Sequence, residues 1–512
     1  MIVLAIFAVS ISVSWPIPKN CLRAGSSGYL LSRDDLFAEV RSQIVAMVES
    51  GEIPSFVVVA ARGEEILWRE AFGWTDIEKQ IAATPDTIYC VGSMSKSMTA
   101  TAMMFLVERG LVDLDAPVDR YIAPSKLKVK QGRPEDVTIR RLMNGSAGIP
   151  HGWFSYHEED KPSFLELPEY IKRYGYVVFK PGEEFLYSNH AFGIAACVIA
   201  KVSSRPFDTF LRTELFGPLG MEHSGEFLDE NQKKHLASRY YTMDRKIALE
   251  TMIGPAGGAG LFSSANDLLS YGRFQLSIKP TGAPHLLSDE SLDLLHYYHN
   301  PKIPQGFLAL GWGSLALGEN LRLLISNGEV NGANATLILQ PEKELVIVCM
   351  SNIAKQPSVS DRFAFAILDV LLPGALKKFE NMRRTYEDNY YSNFNPGPKL
   401  IGRWSGRLES NFGSSAIALE FREDGRVIIH QQGRSAVQVT NTGLEYGMIT
   451  GTALLALRPD TDEDPIECNL LLKVDEGIIY GCLMAHESYH SKAADQDFSI
   501  MHSGYLSFER TK

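Results

Sequence analysis

The sequence predicts an α+β protein. An antiparallel sheet flanked by helices and carrying a helical subdomain comes first, and an all-β, barrel-like domain follows. Three features predict this. A helical segment near the start runs into a strand pair, a second strand pair follows a helix-rich middle, and after residue 396 the chain turns into short alternating strands punctuated by turn residues.

Residues 1–28 form a leader. "MIVLAIFAVSISVSW" has the length and apolarity of a signal peptide, but no Lys or Arg precedes its apolar core. Cleaved signal, short membrane anchor and a buried or disordered leader all stay open, and membrane contact is expected only if the leader is retained. No other run is long and apolar enough to span a bilayer. Residues 29–375 are expected to form the first domain. There "SRDDLFAEVRSQIVAMVESG" has helical periodicity, and "SFVVVAARGEEILWREAFG" reads as two strands around Arg62 and Gly63. "NATLILQPEKELVIVCMSN" reads as a hairpin turning at Pro341 to Lys343, and strands from both ends of the helical insert should pair in one sheet. The polar, Tyr/Asn-rich residues 376–396 read as a linker. In residues 397–512, segments such as "SAIALEF", "RVIIHQQ" and "CNLLLKV" separated by "EDG", "NTG" and "DEG" predict the β domain.

Composition narrows the function. The 512 residues are 45% hydrophobic and 22% charged, ordinary for a globular protein, and the formal net charge of -11 with one modest basic cluster, "KLKVKQGR", argues against a nucleic-acid partner. Of six cysteines, Cys197, Cys349 and Cys482 sit in apolar segments, so free core thiols are expected rather than a disulfide framework. The compartment stays open.

"YCVGSMSKSMTATAMMFLVERG" carries Ser93 and Lys96 at the head of an apolar run. In a helix starting near Ser93, Lys96 lies one turn on and on the same face, within reach of the hydroxyl. The serine would also sit among unpaired N–H groups at the positive end of the helix dipole, where an oxyanion is stabilised. A serine needs a base at neutral pH, and a lysine serves only if burial or neighbouring cations lower its pKa. The competing reading makes Ser93 a helix cap. In "KPGEEFLYSNHAFGIAACVIAKVSSRPF", Tyr187 and Asn189 stand two apart at a helix entrance. There a phenol would relay a proton while an amide orients the lysine or substrate; the competing reading is a buried aromatic and an N-cap asparagine.

The pair Ser93-x-x-Lys96 and Tyr187-x-Asn189, with "TPDTIYCVGSMSK", "VTIRRLMNGSAGIP" and "PAGGAGLFSSANDLLSY" around them, resembles the serine β-lactamase-like family over roughly residues 30–375. That group holds class C β-lactamases, DD-peptidases, D-aminopeptidases, family VIII esterases and lovastatin-type acyltransferases. The resemblance implies a β-lactamase/transpeptidase-like fold, with Ser93 as the acylated nucleophile. Lys96 and Tyr187 would share the role of base, and Asn189 would bond Lys96 or the acyl carbonyl. It also implies a lipocalin-like character for the C-terminal domain, a small-molecule acyl substrate and no cofactor.

Two departures matter. Where the family places Lys or His, a small residue and Gly on a strand, this chain has Ser326, Asn327 and Gly328. Gly328 still lets substrate lie against the strand edge, and the Glu329 N–H would complete an oxyanion hole with that of Ser93. The missing cation weakens the β-lactamase and D-aminopeptidase readings and favours an ester, thioester or lactone donor, possession of a carboxylate being unnecessary. A serine hydrolase on an ester-type substrate, in the secondary-metabolism setting of some members, is therefore expected, with acyl transfer, amide hydrolysis and a non-catalytic scaffold as alternatives. Gly145 also stands where many members carry His. "HESYH" at His486 to His490 fits a zinc-protease pattern only on a helix, whereas its surroundings read as strand. The sequons at Asn144 and Asn334 fall where the resemblance places the pocket wall, and neither argues for secretion.

Overall fold

The computed structural model describes residues 36–157, 166–247, 251–278, 285–297, 309–318, 321–353, 358–410, 412–457, 464–491 and 496–511. The leader 1–28 lies outside the described residues. The chain divides into two compact units, one holding the described part of Met1–Ala116 with Phe192–Asn381, the other Pro117–Ala191 with Met382–Lys512.

The first unit is built on a seven-strand antiparallel sheet: β1 Ser55–Arg62, β2 Glu65–Asp76, β3 Ile81–Ala82, β4 Gly313–Ala316, β5 Arg322–Val330, β6 Ala333–Gln340 and β7 Leu345–Ser351, in the order β4-β5-β6-β7-β1-β2-β3. Both expected hairpins are present, and β1 pairs with β7, Val58 opposite Cys349. Gly63 turns the first hairpin at φ +55°. Its N–H donates to the Glu344 carbonyl beside the Pro341–Lys343 turn at 2.9 Å, tying one turn to the other.

Strands β6 and β7 are buried along their whole length, which requires cover on both faces. Four helices matter here: α1 Ala38–Glu49, α2 Ser95–Glu108, α3 Ala265–Gln275 and α4 Val359–Leu371. On one face α3 comes so close at Gly272 that a Cβ there would lie 2.7 Å from Val346 and 3.0 Å from Leu339. On the other, Phe363 of α4 meets Phe56 edge-on at 5.1 Å, and the buried Asp361 carboxylate accepts from Thr336 Oγ1 at 2.6 Å. Alternation along the strands delivers successive residues to opposite layers. Helix α2 is buried almost throughout, as an apolar Ala/Met-rich helix must be. It stops at Gly110 (φ +70°) in a paired closure, Leu111 N–H to the Leu106 carbonyl and Gly110 N–H to that of Val107.

In the second unit, ten strands form a curled antiparallel half-barrel. They are β8 Tyr391–Asn393, β9 Gly402–Ser410, β10 Gly413–Phe421, β11 Val427–Gln431, β12 Val437–Gln438, β13 Thr440–Glu445, β14 Met448–Leu455, β15 Ile466–Asp475, β16 Ile478–Ser491 and β17 Gln496–Arg510, in the order β8-β13-β14-β15-β16-β17-β9-β10-β11-β12. Its inner face is filled by a continuous apolar core that includes Trp404, Leu419, Ile429, Leu455 and Phe508. The stretch read as a linker contains a helix, Ala375–Tyr390, followed by β8; Phe379 on that helix stacks on Phe365 of α4 at 4.2 Å.

"HESYH" lies on β16. Positions four apart on a strand are separated by roughly 13 Å, so His486 and His490 lack the one-turn spacing that the zinc pattern needs. The five described cysteines are free thiols. Both sequon asparagines are buried. Asn334 donates to the Ile353 carbonyl and accepts the Ser360 N–H, while Asn144 accepts from Ser146.

Replacing Gly272 with Val should cost ~1–3 kcal/mol by overpacking the sheet, read as a lowered midpoint in urea unfolding; an unchanged midpoint would contradict the close approach of α3.

Candidate active site

A short strand, Ile88–Cys90, leads through a 3-10 turn, Gly92–Met94, into α2. Gly92 has φ +53°, a left-handed conformation that glycine adopts without strain, and it turns the chain so that Ser93 stands at the corner. From Thr87 to Leu106 every residue is buried except Ser93. No side chain caps α2, so the capping reading of Ser93 does not hold. Ser95 instead fastens the turn, donating to the Gly92 carbonyl at 2.7 Å and accepting the Leu261 N–H at 3.0 Å.

Lys96 lies one helical turn beyond. Its Nζ is 3.2 Å from Ser93 Oγ and donates to the Gly258 carbonyl at 2.6 Å. The side chain is 2% exposed. Loss of hydration penalises the ammonium and holds the Lys96 pKa well below the usual lysine value. A neutral amine fixed on Gly258 can present its lone pair to the serine proton.

Gly258 is a functional residue that side-chain reasoning missed. It belongs to a short helical turn, Ala256–Ala259. Thr99 of α2 binds the neighbouring Gly257 carbonyl at 2.8 Å, and a Cβ on Gly257 would lie 2.6 Å from the Phe192 carbonyl oxygen. The consecutive glycines of "PAGGAG" were the available signal, because only a bare backbone fits this gap.

The edge of β5 meets the Ser93 corner backbone to backbone. A Cβ on Gly328 would lie 2.1 Å from the Val91 oxygen and 2.5 Å from the Ser93 nitrogen; one on Gly92 would lie 2.9 Å from the Glu329 nitrogen. Two glycines therefore bring the Ser93 and Glu329 amides to the same corner, the makeup of an oxyanion hole. Strand β4 pairs with β5 only through Ile325. Among the described residues no strand covers that side of residues 326–330, and an extended group can lie there.

Ser326 is buried, and its Oγ donates to Ser97 Oγ at 2.9 Å. The Tyr271 hydroxyl bonds Ser97 and also Thr101, the latter at 3.0 Å. Where the family places a cation, this chain has an uncharged hydroxyl network. Asn327 donates to both Asp361 oxygens at 3.2 Å, which fixes the strand from the α4 side.

Thus Ser93, Lys96, Gly328 and the Glu329 backbone are gathered in the first unit, with Ser326 linked to α2 through Ser97. Tyr187 and Asn189 belong to the second unit. Both are buried there, and the Tyr187 ring lies 5.4 Å from that of His151. The helix Asn189–Ser203 is capped by Ser188, whose Oγ accepts the Ala191 N–H at 3.1 Å and donates to the Pro150 carbonyl at 2.8 Å. Asn189 is therefore not the cap. Gly145 has φ +74°, and a Cβ on it would lie 2.6 Å from the Phe185 ring, so a histidine at this position would collide. His190, also missed, is buried with Nδ1 3.0 Å from the Tyr170 hydroxyl and its ring stacked on Tyr174 at 4.0 Å. Burial, with the nearby His151 and Arg173 charges, keeps its pKa well below the usual histidine value.

A family model described as Beta-lactamase matches residues 40–371. Protein flp of Staphylococcus aureus (strain MRSA252) is 23% identical over 310 residues, 60% of this chain and 61% of that protein. Penicillin-binding protein 4* of Bacillus subtilis (strain 168) is 29% identical over 175 residues, 33% of this chain and 37% of that protein. The chain spans about three fifths of the length of the flp proteins it matches. Among solved structures, the octameric penicillin-binding protein homologue from Pyrococcus abyssi aligns with 91% of this chain and 99% of its own at a TM-score of 0.56 and 21% identity. A beta-lactamase/D-alanine carboxypeptidase from Pseudomonas syringae aligns with 66% of this chain and 99% of its own, at a TM-score of 0.54 and 18% identity. These structural likenesses establish the fold.

Gly328→Val should displace the β5 edge from the Ser93 corner. We expect the rate at which a fluorophosphonate labels Ser93 to fall by about 100-fold or more; an unchanged rate would mean that the edge does not shape the nucleophile's surroundings.

Proposed function

The chain belongs to the beta-lactamase family, and from that premise we propose that it is a serine hydrolase working through an acyl-Ser93 intermediate on an ester-type small-molecule acyl donor. The observation that carries this reading is the 3.2 Å approach of a buried, pKa-depressed Lys96 to the one partly exposed residue of its segment, Ser93.

In the proposed reaction Ser93 Oγ attacks the acyl carbonyl as its proton passes to the base, a role assigned jointly to Lys96 and Tyr187. The Ser93 and Glu329 amides receive the developing oxyanion. The proton then goes to the leaving alkoxide, which departs as an alcohol and leaves the acyl group on Ser93. Water, or an acceptor alcohol if the protein is a transferase, then loses its proton to the same base and attacks the acyl carbon; the acyl–Ser93 bond breaks, the proton returns to Ser93 Oγ, and the acid or new ester is released. Asn189 is assigned to orienting the acyl carbonyl or Lys96. The uncharged Ser326 network and the acidic Glu329 favour a donor without a carboxylate, which supports an ester over a penicillin or a D-amino-acid peptide.

The first test is intact-mass analysis of the wild type and Ser93→Ala with p-nitrophenyl butyrate, a fluorophosphonate and nitrocefin. A single adduct confined to the wild type and mapped to Ser93, with ester turnover far exceeding nitrocefin turnover, is expected. An adduct elsewhere would overturn the assignment. In Tyr187→Phe, a fall in kcat of about 100-fold is expected if the phenol moves a proton. Acylation should rise with pH as Lys96 loses its proton and level off well below the usual lysine pKa. The unfolded chain keeps that proton up to about pH 10.4, whereas burial weakens its hold in the folded chain, so the lysine opposes stability below that pH and the cost fades as the pH rises toward it. Lys96→Met should accordingly lower kcat/KM by about 1,000-fold or more without lowering Tm; a Tm loss beyond a few degrees would contradict the buried-amine account.

A further inference from the structure

We infer that the C-terminal sheet is a clamp on the segment leading into Tyr187, and that Lys473, Asp475 and Tyr446 are positioning residues for the reaction; the catalytic part of this rests on the function proposed above. Residues 180–187, "KPGEEFLY", contain no helix or strand. Their backbone is held by Gly182 N–H to the Ser146 carbonyl and Leu186 N–H to that of Gly145, each at 2.7 Å. Such a stretch holds a phenol in place only if something else fixes it.

Within the second unit, that support comes from the end of β15. Lys473 and Asp475 are two apart on the strand and so share a face. Lys473 pairs with Glu184 and, at 3.4 Å, with Glu183. Asp475 accepts from Lys180 Nζ at 2.7 Å. The Lys473 and Glu184 side chains are 20% and 16% exposed, so solvent screens this pair less than a surface one. Hydrogen bonding and attraction from Glu184 outweigh burial and raise the Lys473 pKa, while Lys180 lowers that of Asp475.

Aromatic contacts complete the grip. Tyr446, in the turn between β13 and β14, lies 6.5 Å from Phe185 and is packed by Tyr386 and Tyr391 at 5.8 and 6.0 Å. Phe185 in turn fills the space over Gly145. Tyr480 of β16 lies 5.9 Å from Phe179. Opposite charges therefore bracket Lys180 to Glu184, and a cluster of edge-on and tilted rings holds Phe185, two residues before Tyr187. Removing Lys473 would leave Glu183 and Glu184 as adjacent carboxylates without this cation. A displacement of about 1 Å at a reacting group costs about 100-fold in rate.

The full-length protein is compared with Lys473→Met, Tyr446→Ala and Asp475→Lys, the last alone and combined with Lys180→Asp. Arg426→Met serves as the control, because its guanidinium meets Asp424 within the turn between β10 and β11. On p-nitrophenyl butyrate the first three should lose 10- to 100-fold in kcat with KM nearly unchanged, the reversed pair should recover most of the loss, and the control should keep its kcat. In a Tyr187→Phe background Lys473→Met should cost little more, since the clamp acts through that phenol. An equal loss in both backgrounds would overturn the positioning role. Hydrogen exchange of residues 180–189 tests the clamp without any turnover. Faster exchange in Lys473→Met is expected, and unchanged protection would sink the clamp even in an active enzyme. If exchange quickens while the wild type forms no Ser93 adduct, the proposed reaction has failed and the clamp stands as a structural device alone.

Discussion

The desolvation of one lysine governs the site. An amine can take a proton from serine only while it is neutral, and burial is what moves Lys96 toward that state. That condition explains features that otherwise look unrelated. The first turn of α2 must be buried, because water at that end would rehydrate the ammonium. The amine still needs an acceptor in its dry surroundings, and a backbone carbonyl, Gly258, supplies one without adding a negative charge that would restore the proton. Glycines at 92, 257 and 328 let main chain approach main chain where any side chain would hold the segments apart.

The same logic reaches β5. A cation near Lys96 would further depress its pKa and also hold a substrate carboxylate. This chain uses neither effect at Ser326, where hydroxyls of Ser97, Tyr271 and Thr101 satisfy one another in a buried network. Such a network is uncharged and geometrically fixed, so it discriminates by shape and by hydrogen bonding rather than by attraction. Selection for an acyl group is then left to the strand edge.

The legible parts of the fold were those written locally. Ser93 and Lys96 are one helical turn apart, and both sheet hairpins combine apolar runs with turn residues, so the local pattern placed them, while the family resemblance chose the catalytic reading of the pair. Legibility ended where distant segments meet. Gly258 acts through a carbonyl that every residue type possesses. Ser188 holds the cap that the competing reading gave to Asn189, because its hydroxyl reaches both Ala191 and Pro150. Gly145 was noticed as a departure, but its reason, the Phe185 ring, lies forty positions away in the chain. Residues 117–191 share a compact unit with the C-terminal sheet through ion pairs and ring contacts that no sequence window contains.

The buried sequon at Asn334 sets folding against modification. Its side-chain amide is consumed on both sides, by the Ile353 carbonyl and the Ser360 amide, within a strand enclosed by helices. A sugar attached there has no outlet, so an oligosaccharide could be added only before β6 docks, and once added it would prevent docking. The amide nitrogen that a glycan would need is the one that fastens β6 to the Ile353 carbonyl, so packing and the sequence pattern make opposite demands on one side chain.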